Sequence, residues 1–382
     1  MVEPVIRDPK YTYSDTGIFV RNIAAMIDVV SPDDVPLLKA VGLNSVQKLL
    51  RGEVHNTKVE WIEDQLKATN AVLNEALDDN ETDIDVATGE GERFFTGIIF
   101  RIDDELFWVV SVSNDTLTVA TRPFGGTSAV THDTSTVIQI VGHAQIEGAA
   151  PPAPRVFAFV QPYNHTQIFE DSIHMTGSQM AMKQYGLDDE YDYQVAKIFR
   201  ELLIKLERSV IDGGRAAGSS TTARAMGGLR QYVTAGPADL SSAPLTQKNI
   251  EDTLQARFEA VGASYMPDFI IVNGWGKRKI SSFYAPYVRT ERSEKMGGIE
   301  ISKVETDFGV LNIMLNRWVP TDRLYMVRME NIGVGPLRGR EFFEERLAKT
   351  ADAIDGHVVG EYTAIVKNTT GMARITGFST SS

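Results

Sequence analysis

The chain contains no cysteine. That excludes disulfides, thiolate catalysis and cysteine-ligated metals. No run approaches the ~18 consecutive apolar residues of a membrane span. The N-terminal MVEPVIRDPKYTYSD lacks the apolar core of a secretory signal. Bases are also scarce, with 38 Lys and Arg against 51 Asp and Glu, giving a net charge of −13. The excess is concentrated between Asp78 and Glu147, where thirteen acids face three bases, Arg93, Arg101 and Arg122. Nucleic-acid phosphates would repel such a segment, which is expected to face solvent. The whole chain, 43% hydrophobic over 382 residues, reads as soluble and globular and is long enough to bury its cores without staples.

The polar first 20 residues read as an extended arm. SPDDVPLLKAVG predicts a helix with Ser31 as N-cap, Pro32 in its first turn and Gly42 at its end. β character follows near Lys58–Trp61. Within the acidic segment, GIIFRID, LFWVVSV, TLTVATR and VIQIVG are short β-branched and aromatic runs separated by polar turns. They predict a small antiparallel sandwich or barrel. A stiff linker, AAPPAP (149–154), comes next. Two extended strands are expected over 155–177.

The strongest periodic signal is EYDYQVAKIFRELLIKLERSVIDGG. Val195, Phe199, Leu202, Leu203, Leu206 and Val210 recur at helical spacing, and Gly213-Gly214 stops the run. Lys197, Glu201 and Lys205 are spaced for i,i+4 pairing. A second amphipathic helix is predicted over 247–262, with Ile250, Leu254, Phe258 and Val261 in register. DFIIVN reads as a buried strand and GWGKRKISSF as a short helix. IEISKVET, GVLNIMLNR, RLYMVRM and VGEYTAIVKN read as strands, interrupted by a predicted helix over 340–352.

The chemical motifs are weak. GGRAAGS (213–219) lacks the P-loop lysine and follows a helix. GWGKRK fits a solvated surface or subunit contact better than a nucleic-acid site. His55, His132, His143, His165, His174 and His357 form no zinc-binding spacing. DNETDID (79–85) puts the glycine and glutamate of a calcium loop out of phase. Ser178 is outside any G-x-S-x-G elbow. The sequons at Asn164 and Asn368 lack a signal peptide and read as chance. In TLTVATRPFGGTSAVTH (116–132), Asp103 or Asp115 near His132 would complete a nominal Ser/His/Asp set, a combination common by chance in β-modules. No catalytic residue, cofactor or metal site is assigned, and the chain is not expected to be an enzyme.

The order of elements resembles the major capsid proteins of tailed bacteriophages, of the Hong Kong 97-type fold, in the family with a β insertion in the extended loop. The resemblance is carried by SPDDVPLLKAVG (31–42), VEWIED (59–64), NDTLTVATRPFGGTSAVTH (114–132), IEGAA (146–150), YNHTQIFEDSIHMTG (163–177), KLERSVIDGG (205–214), ARAMGGL (223–229), DFGVLNIMLNRWVP (307–320) and VGEYTAIVKNTTG (359–371). Val35 departs from the Thr more usual before this proline. The resemblance implies an α+β fold with an N-terminal arm (1–45) and an extended loop (46–185) bearing a β-domain at about 80–147. It further implies a peripheral domain (186–239) with a spine helix, an axial domain (240–325) and return strands (326–382). It implies hexameric and pentameric capsomers of this chain closing into a head around double-stranded DNA, with weak, non-specific DNA contact. Portal, scaffolding and decoration proteins are the other partners expected, and no membrane. Assembly is expected in the host cytoplasm. The alternatives are an encapsulin-like shell and a β-rich virion adhesion or carbohydrate-binding protein, which the long helix and the α/β unit oppose.

Overall fold

A computed structural model describes residues 34–64, 68–149, 159–182, 189–234, 239–284, 303–349 and 351–380. The chain divides into two compact units, one of Met1–Trp61 with Gln161–Ser382 and one of Ile62–Val160. The first unit opens with α1 (Pro36–Val41), α2 (Ser45–Leu50) and β1 (Lys58–Glu60). The inserted unit holds β2 (Asn70–Val72), β3 (Asp83–Asp85), β4 (Ile98–Ile102), β5 (Glu105–Ser113), β6 (Thr116–Val119) and β7 (Val137–His143). The first unit resumes with β8 (Tyr163–His165), β9 (Gln167–Thr176), α3 (Gly177–Ala181), α4 (Glu190–Asp212), α5 (Leu229–Tyr232), α6 (Gln247–Val261), β10 (Phe269–Val272) and α7 (Gly274–Tyr284). It ends with β11 (Lys303–Thr306), β12 (Gly309–Leu315), β13 (Arg323–Val327), β14 (Ile332–Pro336), β15 (Phe343–Arg346), β16 (Ala353–Val366) and β17 (Ala373–Thr376).

In the inserted unit, strict alternation sends one set of side chains inward. Ile98, Phe100 and Ile102 of β4 and Phe107 and Val109 of β5 are buried, with the Phe100 and Phe107 rings stacked at 4.9 Å. Asp103 and Asn114 occupy the two hairpin turns at positive φ, which short polar side chains tolerate. The strand order is β2-β7-β4-β5-β6-β3. A bridge between Leu73 and Val86 joins the two outer strands and closes the sheet on itself. Closure leaves no open edge to template aggregation. The unit begins well before residue 80. Asn70–Val72 pairs with β7, and Leu73 and Leu77 enter the core. Charge marks only the acidic part of the unit, while β2 (Asn-Ala-Val) carries none.

In the other unit the amphipathic run forms α4 as its spacing predicts. Asp189 caps it by accepting from the backbone of Tyr191 at 2.8 Å and Asp192 at 3.3 Å. Leu202, Leu206 and Val210 are fully buried, with Val195, Phe199 and Leu203 packed beside them. Lys205 pairs with Asp171 of β9 at 2.9 Å, so this lysine ties helix to strand. β16 is the organising strand. It pairs with β9 over ten rungs, and on its other side with β14 and then β15. A second sheet runs β11-β12-β10-β13-β17, parallel only between β10 and β12. Ile250 and Leu254 of α6 pack in its core, and a Thr246–Asn249 capping box starts that helix.

Three expectations are corrected. α1 begins at Pro36, after a non-helical Val35; Ser31 and Pro32 lie outside the described residues. Its first peptide groups are capped by Glu207 of α4, which accepts from Leu37 N at 2.9 Å and Leu38 N at 2.8 Å. The described residues of 340–352 form no helix. Phe343–Arg346 is β15, because pairing with β16 and the packing of Phe342 on Tyr362 at 4.6 Å outweigh local propensity. Phe258 of α6 is largely exposed and leans on Phe308 rather than entering the core. The strand expected over 299–306 is described only from Lys303, and residues 155–158 of the run after the linker lie outside the described residues.

Candidate functional site

The glycines of RPFGGTSAVTH make a corner. Gly125 and Gly126 have positive φ, and Thr127 Oγ1 donates to Phe124 O at 2.9 Å while accepting from Leu106 N at 3.2 Å. Around this corner lies a sealed ionic hub. Arg122 grips Glu105 with a two-pronged contact, Nε to Oε1 and Nη2 to Oε2, both 2.9 Å. It also donates to the carbonyls of Val130 and Glu81. Glu105 further accepts from Val130 N at 3.1 Å. His132 lies between two carboxylates, Nδ1 at 2.9 Å from Asp103 and Nε2 at 3.1 Å from Glu105. Burial alone would raise the Glu105 carboxyl, but Arg122, the Val130 N–H and His132 together hold it below the usual range.

Asp103 therefore does meet His132. Asp115 does not; it accepts from Gly89 N and Gly91 N at 3.0 Å. No hydrogen bond joins Ser128 to His132 among the described residues. The Arg122, Glu105 and His132 side chains are at most 2% exposed, so no substrate can reach the hub. Its chemistry is that of a staple binding the 78–81 turn, the 103–105 turn and the 120–132 connection. Glu105 and Arg122 were missed as a pair. The signal was present for Glu105, which shares the inward phase of Phe107 and Val109.

The other motifs resolve as local structure. GGRAAGS leaves α4 at its capping glycine and folds into a tight return closed by an Ala216–Ala225 bridge. This return lines a cleft of about 650 Å³ with Lys58, His165, Ile168, Glu170 and Arg224. Asn164, within a sequon, is fully buried, with its amide bonded to Gly227 O at 2.9 Å and Ala364 O at 2.6 Å. GWGKRK forms the first turns of α7. There Gly276 N donates to Asn273 Oδ1 at 2.7 Å, and Trp275 stacks on Phe378 at 5.6 Å. Asp83 and Asp85 flank the buried Ile84 on β3, and Asp85 accepts from Thr116. Ser178 lies in the short α3. His174 pairs with Asp355 and His357 with Glu170, strand to strand.

The architecture has known counterparts. The capsid of cyanophage A-1(L) covers 96% of this chain and 99% of its own, at 9% identity and a TM-score of 0.51. The capsid of an empty GTA particle covers 95% and 96%, at 8% identity and a TM-score of 0.50. The encapsulin of Synechococcus elongatus covers 59% of this chain and 79% of its own, at 8% identity and a TM-score of 0.43. Among curated proteins no sequence relative is found. A family model for the SU10 major capsid protein matches residues 9–379. The chain has the Hong Kong 97-type phage capsid fold and belongs to the SU10 major capsid protein family.

Proposed function

We propose that this capsid subunit assembles as hexamers and pentamers into the icosahedral head of a tailed bacteriophage, around double-stranded DNA. The observation that supports this best is the family match over residues 9–379. The division of the chain agrees with it. The inserted unit leaves the main unit after β1 and returns at β8, and these strands pair antiparallel from Lys58–His165 to Glu60–Tyr163. That is the connection expected of two limbs of an extended loop carrying an inserted domain. On this reading residues 1–45 are the arm, 46–185 the extended loop, 186–239 the peripheral domain with α4 as spine, 240–325 the axial domain and 326–382 the return strands. The inserted unit faces outward, its acids away from packaged DNA. DNA contact is weak and non-specific. A portal protein, and scaffolding or decoration proteins, complete the head, which assembles in the host cytoplasm.

Electron microscopy of the purified protein tests the reading. Closed shells are expected, and a preparation of isolated monomers or trimers under all assembly conditions would overturn it. A reconstruction with the insertion pointing inward would overturn the outward assignment alone.

A further inference from the structure

We infer that the exposed face of the spine helix α4 is the surface that meets the phosphate backbone of double-stranded DNA. The inference rests on the shell reading for the presence of DNA. The place rests on the charge that the helix itself carries.

Helical spacing gives α4 two sides. Leu202, Leu206 and Val210 are buried in one core with Phe169 of β9 and Val358 of β16, so the inner side of the helix covers a face of the sheet. Lys197, Arg200, Glu201, Lys205 and Arg208 are exposed on the outer side. Ion pairing neutralises only part of this charge. Lys205 is held by Asp171 at 2.9 Å. Lys197 is spaced for Glu201 but makes no ion pair with it, and Arg200 and Arg208 have no carboxylate partner among the described residues. Three unpaired cations therefore share the stripe with one unpaired acid, in a chain whose net charge is −13. The other exposed acids of α4, Glu190 and Asp192, sit in its first turn, where they suit the helix dipole.

One end of the stripe is organised by an indole. Trp318 is anchored through Nε1, which donates to Asp34 O at 2.8 Å. The Arg317 guanidinium lies 4.3 Å from the ring centroid and also grips the Asp34 carboxylate, while Arg208 lies 5.5 Å from the same centroid. Contact with the ring orients Arg208 without using its N–H donors. A guanidinium held by its face, with its edge free, is matched to two-pronged contact with a phosphate. Lys197 and Arg208 are roughly 16 Å apart along the helix. A duplex presents about nine phosphate charges over that length, so each unpaired cation can meet one. Such contacts read no sequence, as a wall against any stretch of a genome requires. A protein partner fits less well, because a stable contact needs an apolar centre and these outward positions are charged. A symmetric contact with a second copy would set like charges against each other.

Fluorescence anisotropy of a labelled duplex of about 20 base pairs, titrated with unassembled full-length subunits, reads both affinity and its salt dependence. The variant Lys197→Gln with Arg200→Gln and Arg208→Gln should bind about tenfold more weakly at ~50 mM salt and lose about 2–3 from the slope of log K against log salt. A control of equal charge, Lys248→Gln with Arg338→Gln and Lys349→Gln, alters exposed cations elsewhere and should keep the wild-type slope. Glu201→Lys adds a cation to the stripe and should steepen the slope by about 1, a gain that no loss of folding can mimic. Equal weakening in the first variant and the control, an unchanged slope in Glu201→Lys, or a wild-type chain that binds no duplex would overturn the proposal. The side of the shell is read with Glu201→Cys, a single thiol in a chain without cysteine. A maleimide carried on a bulky polymer should label it in subunits and not in closed shells. Labelling of shells at the subunit rate would put the stripe outside and overturn the proposal. Subunits first blocked at that thiol with N-ethylmaleimide should still assemble; loss of shells would mean that a neighbouring copy occupies the face, and would overturn it too. If the wild-type chain forms no shells, the shell reading fails by itself, and the anisotropy slopes alone decide whether α4 holds a duplex.

Discussion

Two buried glutamates have opposite electrostatics. Glu207 accepts from Leu37 N, Leu38 N and Asn316 Nδ2, yet burial pushes its carboxyl above the usual range. The folded state therefore favours its protonated form. Its contribution to stability is full below the unfolded carboxyl value of ~4.3 and declines as pH rises through the folded one. Glu207→Gln keeps an acceptor without the charge, so it should show a flatter dependence of melting temperature on pH above the unfolded value of ~4.3. Glu207→Ala strands two N–H groups and should cost about 2–4 kcal/mol by thermal or urea unfolding. Glu105 has the reverse sign. Its carboxyl is held low, so its contribution is present above ~4.3 and lost as pH falls through the folded value. Glu105→Gln should weaken hydrogen-exchange protection of β4 and β5 by roughly 3–5 kcal/mol at pH 7, the usual loss on breaking a buried pair. The gap to wild type should narrow below pH 4.

At the level of elements, β16 crosses the spine helix at a glycine. A Cβ on Gly356 would lie 2.0 Å from the Tyr191 hydroxyl, which donates to Glu344 Oε1 at 2.6 Å. Burial first, and then Glu344, push that phenol up to about 12. Gly356→Ala should destabilise by about 1–3 kcal/mol despite alanine's lower conformational entropy. Adding Tyr191→Phe should recover part of the loss, giving a coupling of about 1 kcal/mol in a double-mutant cycle. The same elements show what the sequence could disclose. α4 was readable because six apolar residues repeat at helical spacing with a cap at one end and glycine at the other. β4 and β5 were readable because they alternate. β15 was not, since FFEER has helical composition and becomes a strand only through a partner ten or more residues downstream. β2 and β3, three residues each, are too short to show a period. At the candidate site, Asp103 and His132 were proposed neighbours and are so. Glu105 and Arg122 escaped because an ion pair between positions 17 apart has no local signature.

The whole molecule is built as one unit interrupted by another. Glu60 pairs with Tyr163, and Trp61 N donates to Pro162 O at 3.1 Å, so the main unit is already closed at the point of interruption. Excising residues 62–160 and joining the ends through an Asn-Gly turn should leave the main unit folded, with its helical circular dichroism and a cooperative melt. A non-cooperative melt would show that the main unit depends on the insertion. The pairing of β16 has a further consequence during synthesis. The inserted unit draws its six strands from residues 70–143, so it can fold as soon as that stretch leaves the ribosome. The sheet around β16 joins residues 167–176, 332–336 and 343–346 through a strand that ends at Val366. The main unit cannot close that sheet until β16 has left the ribosome, long after the inserted unit is whole. The insertion can thus complete its own pairing before the later strands exist to compete for its edges.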